Sequence, residues 1–268
     1  MSDPLDSVRN EFPFLKREID GHQITYLDSA STSPKLQSVI DSVNDVYLRH
    51  TSNVHRGVHT MADEVTTLYE DARREIASFI NASPSEIIFT RNSTESLNMV
   101  ANGMGLHPDD EVLLTPVEHN SNFLPWNSRA KTISVDITRD GLPLYDDVEK
   151  FVTRHTKLLT LAHVSNTTGI IAPVEKWAKI AHSHGIPVVI DAAQSASHVP
   201  IDVKAMDCDF LAFSGHKLLG PSGIGVLYGK RERLADLPLY QTGGGMVRYT
   251  SEDRFEDLCE PLACGGLV

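Results

Sequence analysis

The residues with the most chemical potential are a lysine and an aspartate 26 positions apart, each placed just after a short apolar run. Lys217 stands in Ser214-Gly-His-Lys217, after Asp209-Phe-Leu-Ala-Phe213 and before Leu-Leu-Gly-Pro. A lysine held at the end of a buried strand loses its proton more readily through desolvation and becomes a nucleophilic amine. Asp191 follows Pro187-Val-Val-Ile190 and precedes two alanines and Gln194. An acid at the end of an apolar run is costly to bury without a cationic partner. An ion pair or a helix cap would meet that need as well as a ligand would. Four further polar residues follow apolar runs in the same way. Ser93 and Thr94 offer hydroxyls beside the free N–H groups of a helix start, which makes an anion site or, more simply, an N-cap. His119 could stack on a ring or carry protons, or be structural. Asn166 offers an amide to a ligand, although Asn-Thr-Thr-Gly169 is equally good turn chemistry.

These residues need elements to position them. Apolar periodicity and turn residues predict helices over 35–50, 61–80, 94–102, 120–130, 143–154 and 174–184, with Thr60 capping the second. Short apolar runs predict strands over 86–90, 111–115, 131–136, 157–164, 187–191, 209–213 and 224–228. Continuous apolar runs alternating with helices indicate strands covered on both faces, hence a largely parallel α/β sheet. In such sheets ligands bind beyond the carboxyl ends of the strands, where all the residues above fall.

One cofactor would use all of them together. Pyridoxal phosphate takes a lysine amine for a Schiff base and an acid to keep its pyridine nitrogen protonated. It also takes a phosphate cup and flat groups against its ring. Asp191 and Lys217, on successive strands, are the acid and the amine.

At these residues the chain resembles the fold-type I pyridoxal-phosphate enzymes of the class V aminotransferase family. More narrowly it is similar to group II (sulfur-mobilisation type) cysteine desulfurases and the related selenocysteine lyases. The matching stretches include Tyr26-Leu-Asp-Ser-Ala30, Val54-His-Arg-Gly-Val-His-Thr60, Phe89-Thr-Arg-Asn-Ser-Thr-Glu-Ser-Leu-Asn98 and Glu118-His-Asn-Ser-Asn122. They continue through His163-Val-Ser-Asn166, Ile190-Asp-Ala-Ala-Gln194, Phe213-Ser-Gly-His-Lys217, Gly220-Pro-Ser-Gly-Ile-Gly225 and Gly243-Gly-Gly-Met246. The resemblance implies a mostly parallel seven-stranded sheet flanked by helices. It implies Lys217 as the cofactor lysine and proton carrier, Asp191 at the pyridinium nitrogen, and Gln194 and Asn166 at the ring hydroxyl. His119 would stack on one ring face, as a catalytic residue, and Ala193 would pack on the other. Ser93, Thr94, Ser214 and His216 would hold the phosphate, and Ala30, His55 and Arg56 would face the substrate. The implied reaction takes L-cysteine (or L-selenocysteine) to L-alanine. It leaves a persulfide on an enzyme cysteine, from which an acceptor protein takes sulfur for iron–sulfur cluster assembly. The family works as homodimers. The organisation expected is an N-terminal arm over 1–22, a cofactor-binding large domain over 23–247 and an atypical tail over 248–268. After Met246 the resemblance is lost, so the small domain is expected to be missing and the activity impaired or reduced to cofactor binding.

Composition bounds these readings. The chain has 268 residues, 41% of them hydrophobic, enough for a sizeable core. A net charge of −12 argues against nucleic acid as a partner. No apolar run is long enough to span a membrane and no leader pattern is read at the N-terminus; the odd, sparse cysteine count fits a reducing cytoplasm. The three cysteines, Cys208, Cys259 and Cys264, form neither a disulfide framework nor a zinc spacing. Cys208 lies between two aspartates, which disfavour a thiolate. The glycines of 220–225 give half a dinucleotide fingerprint with the wrong spacing, and the paired histidines lack an acid or cysteine frame for a metal.

Overall fold

A computed structural model describes residues 4–241, 247–250 and 255–257. The chain starts with a helix, Pro4–Asn10, and a small hairpin of β1 (Glu18–Ile19) and β2 (His22–Gln23). That hairpin straddles the boundary expected at residue 22. Seven strands then build the central sheet: β3 (Ile87–Thr90), β4 (Glu111–Leu114), β5 (Lys131–Ser134), β6 (Thr156–Ala162), β7 (Val188–Asp191), β8 (Phe210–Ser214) and β9 (Gly225–Gly229). Their order is β3-β9-β8-β7-β6-β4-β5. The pairs from β5 to β8 are parallel, while β9 runs antiparallel to both β3 and β8. The mostly parallel seven-stranded sheet expected from the sequence is therefore present, with one inverted strand.

The apolar runs have a direct structural cause. Side chains alternate between the two faces of a strand, and here both faces are buried. Leu159, Leu161, Val188, Ile190, Leu211 and Phe213 join one core with Trp177, Ala178 and Ala181 of the helix Val174–Ser183. Leu158, Val189, Phe210, Ala212 and Leu227 join the other core with Leu97, Val100 and Ala101 of the helix Ser93–Gly103, and with Trp126. Helices on both faces leave few polar positions along the inner strands; one of them, Thr160 on β6, is buried and donates to Asn122 Oδ1 at 2.7 Å.

Most predicted elements lie where expected, including the helices Gln37–Arg49 and Thr60–Phe79. Three details differ. The region 120–130 is a 3-10 turn, Asn120–Asn122, and a single helical turn, Leu124–Asn127. Pro125 has no N–H to continue a longer helix through this point. The region 143–154 is a 3-10 helix, Tyr145–Phe151, whose first carbonyl accepts from the Trp177 indole at 2.9 Å. The cap of Thr60–Phe79 is His59, whose ring nitrogen accepts from the Ala62 N–H, and Thr60 is the first helical residue. Two antiparallel strands, β10 (Val247–Thr250) and β11 (Phe255–Asp257), lie within the expected tail and at its boundary. Gly243–Met246, Cys259 and Cys264 lie outside the described residues.

Candidate active site

The sheet register assembles the site. Gly225 pairs with Thr90 on one side and Ser214 on the other, so the ends of β3 and β8 are brought level across the start of β9. Ala162, Asp191 and Ala212 form a second row across β6, β7 and β8. Polar residues that follow β3, β4, β6, β7 and β8 thus converge on one edge, although up to 187 positions separate Ala30 from Lys217 in the chain.

They line a cavity of about 390 Å³, within the size range of small-molecule sites. Eleven of the thirteen residues singled out from the sequence line it: Ala30, Ser93, Thr94, His119, Asn166, Asp191, Ala193, Gln194, Ser214, His216 and Lys217. His55 and Arg56 are not among its lining residues. His55 sits at positive φ (64°), faces Glu70 at 2.9 Å and meets the edge of the Tyr69 ring. Sequence reasoning missed Ser31, Asn92, Ser121, Ala162 and Val164, which also line the cavity. Asn92 had a legible signal, because asparagine before a helix is a favoured cap. Its side chain accepts from the Glu95 N–H at 2.9 Å.

At one end of the cavity the helix Ser93–Gly103 points its first turn inward. The Ser93 N–H donates to Ser214 Oγ at 2.8 Å, Ser214 Oγ donates to Ser93 Oγ at 3.0 Å, and Thr94 and Ser121 share a hydroxyl contact at 2.7 Å. This close approach requires glycine at 225: a Cβ there would lie 2.5 Å from Asn92 Cα. Hydroxyls, the N-terminal end of a helix dipole and the His216 ring together make a cup suited to an anion. Burial, followed by the charges of Lys217 and Lys35, lowers the His216 pKa, so its neutral form is favoured there.

At the other end is Asp191, only 4% exposed. Burial pushes its carboxyl well above the usual carboxylate range. The Ala193 N–H, which donates to Oδ1 at 2.9 Å, and the charges of Lys217 and His119 pull the other way. A cation seated in the cavity against this carboxyl would restore its charged form. Beneath His119, the Glu118 carboxyl is enclosed by Thr115, by Asn122 Nδ2 at 2.6 Å and by the Ala162 N–H. Burial raises its pKa to about 7 against those three hydrogen bonds. His119 Nδ1 accepts from the Ser121 N–H at 3.1 Å, which places the proton of the neutral ring on Nε2.

An amine, a buried acid and a cup suited to an anion thus line one cavity of small-molecule size. The chain belongs to the aminotransferase class-V family, whose pattern it matches over residues 25–260. It is 46% identical over 251 residues to a probable cysteine desulfurase of Halalkalibacterium halodurans, covering 90% of this chain and 62% of that protein. It is 42% identical over 270 residues to a cysteine desulfurase of Serratia proteamaculans, covering 97% and 66%. Among solved structures, it superposes on the cysteine desulfurase CsdA (S-sulfonic acid) of Escherichia coli with a TM-score of 0.85 and 36% identity, covering 99% of this chain and 69% of that one. The apo cysteine desulfurase of Thermococcus onnurineus NA1 gives a TM-score of 0.88 at 36% identity, over 99% and 70%. The chain thus spans about 62% of the length of the first of these curated relatives.

Proposed function

We propose that residues 23–247 form the cofactor-binding domain of a pyridoxal-phosphate-dependent cysteine desulfurase. That enzyme takes L-cysteine to L-alanine and leaves the sulfur as a persulfide on an enzyme thiol. The observation that carries this reading is the placement of Lys217 and Asp191 in one cavity with an anion cup beside them. Enzymes of this family depend on pyridoxal phosphate, and the residues present fit that group.

When bound, the cofactor supplies an electron sink for the bonds at the substrate α-carbon. Lys217 Nζ would be the amine that links to the cofactor and the group that moves the proton at the substrate α-carbon. Asp191 would hold the ring nitrogen, whose positive charge would offset the burial that otherwise favours its neutral form. Ser93, Thr94, Ser214 and His216 hold the phosphate. Gln194 and Asn166 orient the ring hydroxyl. Gln194 Nε2 also donates to the Ala30 carbonyl at 2.7 Å, tying the substrate edge to the ring edge. Ala193 would pack on one ring face and His119 would cover the other, with the proton of its neutral ring on Nε2. His55 and Arg56 contribute to the substrate end from outside the lining described here. A selenocysteine substrate would use the same groups.

One observation favours a second reading, in which the chain binds the cofactor without releasing sulfur. Cys208 is the cysteine among the described residues, and it is fully buried. Burial, with Asp209 adding to it, pushes its thiol up to about 12. Burial is the larger cause, beyond the flanking acids noted from the sequence. A thiol of this kind does not attack sulfur at neutral pH. A persulfide therefore requires Cys259, Cys264 or a thiol beyond this chain.

The likeness to desulfurases extends the proposal to a homodimer in the cytoplasm that passes sulfur to an acceptor protein for iron–sulfur cluster assembly. Among the described residues no helix is long and apolar enough to cross a membrane. The test is spectroscopic. Protein loaded with pyridoxal phosphate and freed of excess should absorb at about 410–430 nm, the range of a protonated lysine–cofactor linkage, and Lys217→Ala should lose that band. Adding L-cysteine and measuring alanine and sulfide separates the two readings. Soluble, folded protein with no bound chromophore would overturn both.

A further inference from the structure

The segment Asp28–Lys35 lies across the turn that carries Lys217, and its contacts converge on a single atom. The carbonyl oxygen of His216 accepts from Lys35 Nζ at 2.7 Å, from the Ser33 N–H at 3.0 Å, from Ser33 Oγ at 3.0 Å and from Thr32 Oγ1 at 3.2 Å. A carbonyl has two lone pairs, so these four donors share them, and the closest is the one that carries charge. Lys35 Nζ also donates to the Ser33 carbonyl at 2.7 Å, which closes a ring between the strap and the turn. Partial burial lowers the pKa of Lys35.

The His216 carbonyl belongs to the peptide bond that joins His216 to Lys217. Fixing that oxygen fixes the peptide plane from which the Lys217 side chain departs. The turn needs such a hold. Leu219, two residues on, has φ +59°, a conformation that costs a branched residue free energy and persists only where its surroundings impose it. The Leu219 N–H donates to Ser33 Oγ at 2.9 Å, so the strap engages the strained residue as well.

We propose that Lys35, acting with Ser33, is a positioning residue for Lys217: it clamps the His216–Lys217 peptide through the His216 carbonyl and holds the turn in its strained form. This rests on the reading of Lys217 as the cofactor lysine. Lys35 is not among the lining residues of the cavity, and its hydrogen bonds go to the Ser33 and His216 carbonyls. Its charge-assisted bonds are the strongest of the set, and Ser33 supplies the geometry.

The test compares wild type with Lys35→Met, Lys35→Gln and Ser33→Ala in two measurements. The first is amide hydrogen exchange of the cofactor-free protein. Lys35→Met should speed exchange in residues 215–220 by about tenfold, the scale of losing a charged hydrogen bond, and leave β6, β7 and β8 at wild-type rates. Lys35→Gln, which keeps an N–H donor, should recover part of the protection, and Ser33→Ala should expose Leu219 most. The second is release of bound pyridoxal phosphate, followed by its visible band, which should also be about tenfold faster in Lys35→Met. Unchanged exchange in 215–220 would overturn the proposal. So would equally faster exchange throughout the sheet with a falling Tm, because that marks a merely structural role. The exchange experiment uses no cofactor. A failure of the Lys217 reading would therefore show in the spectrum of Lys217→Ala and leave the clamp measurement standing on its own.

Discussion

Asp191→Asn should change stability in opposite directions with and without cofactor. The substitution keeps the shape of the side chain, and its amide oxygen can still accept the Ala193 N–H that now reaches Oδ1 at 2.9 Å. It removes the charge and puts an NH2 donor in place of the second oxygen. In the cofactor-free protein that charge is a liability, because burial holds the Asp191 pKa above its unfolded value. A folded pKa that is raised means the native state binds more protons than the unfolded state, so stability is fully present at low pH and falls as pH rises through the raised value. Each unit of elevation corresponds to about 1.4 kcal/mol at a pH above both values. The cofactor-free Asn variant should therefore be at least as stable as wild type at neutral pH, and its stability should depend less on pH.

With cofactor bound the sign reverses. The carboxylate then has the pyridinium N–H as a partner, and a charge-assisted hydrogen bond in a buried site contributes about 1.5–3 kcal/mol. The variant should hold pyridoxal phosphate roughly ten- to a hundredfold more weakly, since about 1.4 kcal/mol is a factor of ten. Thermal melts of both forms at several pH values, with a cofactor titration, measure both halves. Wild type gaining more Tm from cofactor than the variant is the expected crossing. An Asn variant that binds cofactor as tightly as wild type would refute the assignment of Asp191 to the ring nitrogen. A cofactor-free variant markedly less stable than wild type would refute the claim that burial outweighs the Ala193 N–H and the nearby charges in that form.

Two further predictions follow from buried groups. Glu118, raised to about 7 by burial, should make the cofactor-free protein lose stability as pH rises from the ordinary carboxylate range through 7; Glu118→Gln should flatten that slope, which chemical denaturation at pH 5 and pH 8 would show, and an unaltered slope would exclude Glu118 as its source. Cys208 should resist alkylation in the folded protein at pH 8 and react on unfolding, and Cys208→Ala should leave cofactor binding intact; rapid native labelling would show that the thiol is neither buried nor protonated as the structure has it.

The legible parts of this molecule were those fixed by local rules. Val188–Asp191 and Phe210–Ser214 could be read as strands because both their faces meet apolar layers, which leaves an uninterrupted apolar run in the sequence. Lys217 and Asp191 could be read because a charged residue at the end of such a run has few inexpensive explanations. The misread parts were those decided by distant partners or by a missing donor. The 3-10 helix Tyr145–Phe151 carries a helix-like pattern, yet Trp177, 32 residues on, takes its first carbonyl. Pro125 cut short a helix that periodicity alone would extend. Glu118 gave no sign of its buried state, because its enclosure depends on Asn122 and on the Ala162 N–H of another strand.

The strand that periodicity could not orient is the one on which the site depends. A parallel β9 would present its carboxyl end, Gly229, to the cavity edge and carry Gly225 to the far side of the sheet. Because β9 instead runs back from that edge, Gly225 lies between Thr90 and Ser214. The missing side chain at that position lets Asn92, and with it the capped start of the helix Ser93–Gly103, close on Ser214. The short link from Lys217 to Gly225 must then reverse the chain within a few residues. That reversal is where Leu219 takes its strained conformation and where Ser33 and Lys35 attach. The anion cup, the lysine turn and the strap are in this sense consequences of one antiparallel insertion into an otherwise parallel sheet.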